Sequence, residues 1–118
     1  MDRRLMIEAA YNSAKARLGG ITLDEFDAAV SACECHPVEV DGRLVGAVLV
    51  HGPEMHACVN PEGFGRWFSR KFIALIDSVA QKHGFAMTRA ETQDGRDFVS
   101  RLGFKEERPG VFVRAYGH

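Results

Sequence analysis

Between residues 36 and 83 the apolar residues change period once, and that change constrains the fold more than any other feature of the chain. Upstream of it, Val38-Glu39-Val40 alternates as a strand does, and Leu44 to Val50 is a Val- and Leu-rich run broken by Gly46. Glu54 to Val59 reads as a third strand, with Met55, Ala57 and Val59 on one side and Glu54, His56 and Cys58 on the other. Downstream, Trp67, Phe68, Phe72, Leu75, Ile76, Val79 and Ala80 supply a broad apolar face at helical spacing from 65 to 83. Asn60-Pro61-Glu62-Gly63-Phe64-Gly65 separates the two patterns. A strand that passes through a glycine-bearing turn into a long amphipathic helix needs a sheet with a helix packed on it, which sets the fold class as α/β.

The flanks extend this frame. Residues 3–18 predict a helix with Leu5, Met6, Ala9, Ala10 and Ala14 inward, stopped by Gly19-Gly20. Thr22 and Glu25 form a capping box for a short second helix whose inner stripe is Phe26, Ala29 and Val30. Asp41-Gly42 and His51-Gly52-Pro53 are turns, so the first three strands form an antiparallel meander. Gly84 ends the long helix and Phe85 to Glu91 is a strand; if it lies parallel to an earlier strand of the same sheet, the helix is a right-handed crossover. Asp94 caps a helix from 95 to 102 that buries Phe98, Val99 and Leu102. Phe104 to Arg108 and Val111 to Tyr116 are the last strands. The order α-α-β-β-β-α-β-α-β-β predicts a single domain over 1–118, a mixed central sheet with helices packed on it. With 118 residues such a domain has little stability to spare, so a protein partner that covers apolar surface fits the size.

Charge removes several function classes. Fifteen basic and 16 acidic residues give a net charge of -1, which argues against nucleic-acid binding. No run approaches a membrane span and no signal-like segment follows Met1-Asp2-Arg3-Arg4, so the expected location is cytoplasmic. Cys33, Cys35 and Cys58 are an odd number and form no closed disulfide framework. Cys33 and Cys35 have one residue between them, unlike a zinc pair, so with His36 and His56 nearby they still predict buried or half-buried thiols and no metal.

The turn after the third strand carries the ligand argument. Gly63 and Gly65 allow tight turns and close approach. A helix then opens, and its unpaired amides attract phosphate, with Arg66, Arg70 and Lys71 adding charge. No Gly-Lys-Ser/Thr follows, and the three-glycine dinucleotide pattern is missing. The plainer reading stays open: the glycines shape the turn and the arginines solvate the helix.

These residues resemble the GNAT superfamily of acyl-CoA-dependent N-acyltransferases. In that family a strand-turn-helix of the pattern Arg/Gln-x-x-Gly-x-Gly/Ala holds the CoA pyrophosphate on backbone amides. Here Gly63 and Gly65 take the two small positions and Asn60 stands where Arg or Gln is usual. Thr92 to Phe104 is similar to the family's short helix ending in Gly-Phe; Gln93 falls on or beside its Asn, and Val99 on its frequent Tyr acid. The resemblance covers 36–116, lacks the family's usual first strand, and is closer still to short GNAT-like proteins of tailed bacteriophages. It implies acetyl-CoA or another acyl-CoA as cofactor, contacted by Val59, Gly63, Phe64, Gly65 and Arg66.

Acyl transfer to an amine needs a base for the amine proton and an acid for the leaving thiolate. Glu54 and His56, on the polar face of the strand beside the turn, are the candidate catalytic residues, each also readable as an ordinary strand side chain. Arg89 reaches a ligand or pairs with a carboxylate, and Tyr116 and Tyr11 are the weaker candidate acids. Two functions stay open. One is an N-acyltransferase acting on a small-molecule or protein amine. The other is a catalytically inactive GNAT-like protein that works through protein contacts, as a phage virion or accessory protein in the host cytoplasm or the particle. An open sheet edge would invite a second copy, which leaves a homodimer open as well.

Overall fold

Asp2 starts the first helix, a role its sequence position did not advertise: its carboxylate accepts from Arg4 N at 3.1 Å. The computed structural model describes residues 2–59, 70–90 and 92–117. Helix α1 spans Arg3–Ala14 and tightens into a 3-10 turn over Lys15–Arg17, so the α-helix ends earlier than its apolar spacing suggests. Helix α2 spans Leu23–Ala29. Both halves of its capping box form, Glu25 N donating to Thr22 Oγ1 at 3.1 Å and Thr22 N to Glu25 Oε1 at 3.0 Å. Strands β1 (Glu34–Val40), β2 (Arg43–His51) and β3 (Glu54–Val59) follow. Then come α3, described over Arg70–His83, β4 (Phe85–Arg89), α4 (Gln93–Arg101), β5 (Lys105–Arg108) and β6 (Val111–Ala115). The strands form one mixed six-stranded sheet in the order β1-β2-β3-β4-β6-β5.

Two compact units divide the described chain: residues 2–51 with 56–59, and 52–55 with 70–90 and 92–117. In the first, Met6, Ile7, Ala10, Phe26, Ala47 and Leu49 form a buried cluster. The inner face of α1 is turned from the expected one: Ile7 is buried and Leu5 is 51% exposed. In α2, Leu23 and Val30 flank Phe26 on the cluster while Ala29 is exposed, the i, i+3, i+7 spacing of one helix face. Arginines bind the two helices. Arg3 donates to the carbonyls of Val30 at 2.9 Å and Cys33 at 2.8 Å, supplying the cation and the donors that the C-terminal end of α2 lacks. Arg4 pairs with Asp24 at 3.0 Å and with Asp27, and these carboxylates raise its pKa.

Strands β1 and β2 pair antiparallel, with a register shift at which Val38 faces Gly46 and Glu39 faces Leu44, so that the extra residue, Val45, is on β2. Asp41 (φ 53°) and Gly42 (φ 77°) both take the left-handed conformation that a two-residue hairpin turn demands, as the Asp-Gly pair predicts. Gly46 has a different reason to be glycine. A Cβ there would collide with the Cys58 carbonyl oxygen and come within 2.7 Å of Val59 Cα.

In the second unit β4 pairs antiparallel with β6 from Phe85↔Ala115 to Arg89↔Val111, and β5 pairs with β6. Asp77 on α3 reaches Arg114 on β6 at 2.9 Å, and that arginine side chain is only 15% exposed. Helix α4 starts earlier than expected, because Thr92 and not Asp94 caps it: Gly95 N donates to Thr92 Oγ1 at 3.1 Å. Its end is a Schellman motif, Phe104 N donating to Val99 O and Gly103 N to Ser100 O, each at 3.1 Å. That motif is the physical content of the Leu-Gly-Phe sequence. Phe98, Val99 and Leu102 are half-buried where burial was expected, and the buried apolar residue at this end is Phe104.

Candidate functional site

Strand β3 enters from the turn at Gly52-Pro53, and the Pro53 carbonyl accepts from Met87 N at 2.8 Å. This bond sets a parallel register in which Glu54 faces Met87. Thr88 Oγ1 donates to the Met55 carbonyl at 2.8 Å. The same register brings Arg89 Nε to 3.5 Å from Glu54 Oε1, so of the two readings of Arg89 the ion pair is realised. The Glu54 side chain is 28% exposed and that of Arg89 63%.

Alternation along β3 follows the sequence reading in part. Met55 and Val59 are buried, but Ala57 between them is exposed. Glu54, His56 and Cys58 occupy the alternate positions and all three are half-buried. Cys58 packs against the cluster of Met6, Phe26 and Leu49, so at that end the polar face is a floor under helices and not an open surface. Among the proposed cofactor contacts, Val59 is described: its side chain is 4% exposed, which leaves its main chain as the group it offers a ligand. Gly63, Phe64, Gly65 and Arg66 lie outside the described residues, as do Trp67 and Glu91.

Several other candidates have structural employment. Tyr11 donates its hydroxyl to the Ile21 carbonyl at 2.6 Å and its ring meets Phe26 at 5.7 Å. Tyr116 is 59% exposed just beyond β6. Gln93 donates to Asp97 one turn along α4, at 2.8 Å. The three cysteines form no disulfide with one another and pack on one apolar cluster, and burial pushes the Cys35 thiol up, away from the thiolate that nucleophilic chemistry needs. Among the described residues no three His, Cys, Asp or Glu side chains gather as a metal site, and no helix is long and apolar enough to cross a membrane.

A shallow open depression, which nothing in the sequence pattern signalled, is lined by Arg96, Glu106, Glu107, Arg108 and Pro109. Two of its charges, Arg96 and Glu106, are matched to each other. Arg96 donates to Glu106 at 2.7 Å and lies 6.0 Å over the Phe112 ring, while Glu106 also accepts from Gly110 N at 3.0 Å. None of these residues is a candidate from the resemblance. No protein-family model matches the chain, and no curated protein matches it.

Proposed function

We propose that this chain binds an acyl-CoA through the segment between β3 and α3 and transfers the acyl group, acetyl in the simplest case, to an amine. The observation that carries this reading is the parallel pairing of β3 and β4 at Glu54↔Met87, with α3 between them in sequence. Parallel neighbours need such a crossover, and ligands of open α/β sheets gather at the carboxyl ends of strands. The sequence places Gly63 and Gly65 after that end of β3, and the helix entry that the sequence pattern predicts from 65 would have amides to offer a pyrophosphate.

The acyl-CoA would supply an activated thioester carbonyl. Glu54 already holds its carboxylate against Arg89, so we assign the proton of the attacking amine to His56. The new C–N bond forms as the C–S bond breaks, and the leaving thiolate takes its proton from solvent because Val99 has none to give. Glu54 and Arg89 are left to bind or orient the amine. The expected setting is the cytoplasm.

Calorimetry with acetyl-CoA and with CoA tests the reading. It requires saturable binding to the wild-type chain, and His56→Gln that still binds CoA but no longer acetylates an accepted amine. The absence of saturable binding at high ligand concentration would overturn it.

Two observations favour a second reading, a catalytically inactive protein that works through protein contacts. Val99 occupies the position of the family's acid, and the Glu54 carboxylate is engaged by Arg89. A specific partner recovered by co-purification, with no CoA retained, supports that reading; stoichiometric CoA together with amine acetylation counts against it.

A further inference from the structure

We propose that both edges of the sheet are closed to strand addition, and that Pro37 closes the longer one. An edge strand exposes a row of unpaired amides and carbonyls, a template for a second copy or for a partner's extended segment. Strand β1 stands at one end of the sheet order with β2 as its neighbour, and its seven residues are long enough to serve as such a template.

Two features of β1 act against that use. Pro37 lies at its midpoint, is exposed, and has no amide hydrogen to offer. Glu34 and Glu39, both exposed, place two negative charges along the strand. A second copy adding about a twofold axis at the strand's midpoint would set Pro37 against Pro37, so neither chain would have a donor at the centre of the new ladder.

The opposite edge uses other means to the same end. Strand β5 has four residues, Lys105-Glu106-Glu107-Arg108; all are exposed and charged, and a register shift falls between Glu106 and Arg108. The Glu106 carboxylate is fixed between Gly110 N and Arg96, which holds the charge in place beside that edge. The short strand, the charges and the bulge are each a recognised defence against edge pairing. A protein partner of this chain must therefore dock on side chains and not extend the sheet. This inference is independent of the acyl-CoA reading.

Light scattering coupled to size exclusion, together with amide exchange read at low and near-millimolar protein concentration, tests it. In the unmodified chain, exchange of the β1 and β5 amides should not depend on protein concentration. The double variant Pro37→Thr, Glu39→Thr restores a donor and removes a charge, and should shift toward twice the monomer mass with new protection confined to β1. Concentration-dependent protection of the β1 or β5 amides in the unmodified chain overturns the proposal without any variant. A double variant that keeps the wild-type circular dichroism and melting transition yet stays monomeric throughout overturns the role given to Pro37.

Discussion

Arg89 Nε sits 3.5 Å from Glu54 Oε1, one residue along β3 and two along β4 from the bond that joins Met87 N to the Pro53 carbonyl. The pair is solvent-facing on the arginine side, so solvent and salt screen it. Exposed pairs of this kind contribute about 0–1 kcal/mol. A double-mutant cycle with Glu54→Gln and Arg89→Gln, followed by urea unfolding, should give a coupling energy inside that range. If the proposed acyl transfer holds, with the pair orienting the amine, acetylation should fall in both single variants while the melting transition changes little.

Gly46→Ala should be among the most damaging single-methyl additions in the chain. The new Cβ would meet main-chain atoms of Cys58 and Val59, which cannot rotate away as a side chain would. Overpacking of this kind costs about 1–3 kcal/mol, read as a lowered urea midpoint with an unchanged slope.

Thr92→Ala should destabilise more than Asp94→Ala. Thr92 Oγ1 is the acceptor for Gly95 N, and loss of an N-cap costs about 1 kcal/mol. Asp94 lies in the first turn of α4, where its charge meets the helix dipole for about 0.3–1 kcal/mol. Urea titration of the two variants side by side decides the order.

The cap of α4 also illustrates what local sequence can and cannot convey. Thr92 and Asp94 are both competent caps two residues apart, and the choice between them depends on where Ala90 leaves β4, its amide bonded to the Gly110 carbonyl. Features whose partners are adjacent in sequence were legible: the Thr22–Glu25 box, the left-handed Asp41-Gly42 pair and the Gly103 terminus all follow from short-range rules. Features set by register were not. Arg89 was recognisable as a pairing residue, but only the parallel alignment of β3 and β4 names Glu54 as its partner. The outward turn of Leu5 in favour of Ile7 has the same origin, since both are apolar and the neighbouring elements choose between them. Of the site, residue types and strand position were legible, while the packing of Cys58 on a helix-covered cluster was not.

Acid should loosen the chain through Glu106 and Glu25. The Gly110 amide, with help from Arg96, holds the Glu106 carboxyl below the usual carboxylate range, and Thr22 does the same for Glu25. A carboxyl whose folded pKa is depressed stabilises the fold above its unfolded pKa, and that contribution disappears as pH falls through the folded value. Melting temperature should therefore decline below the ordinary carboxylate range. Glu106→Gln and Glu25→Gln should each lower stability near neutral pH and flatten the acid decline.

The most direct test of the acyl-CoA account is calorimetric titration of CoA into the wild-type chain and into Gly65→Trp in parallel. The account predicts one saturable site in the wild type and at least about a tenfold loss of affinity in the folded variant, a change of about 1.4 kcal/mol. Equal affinity in the two proteins, or no binding to either, would contradict it.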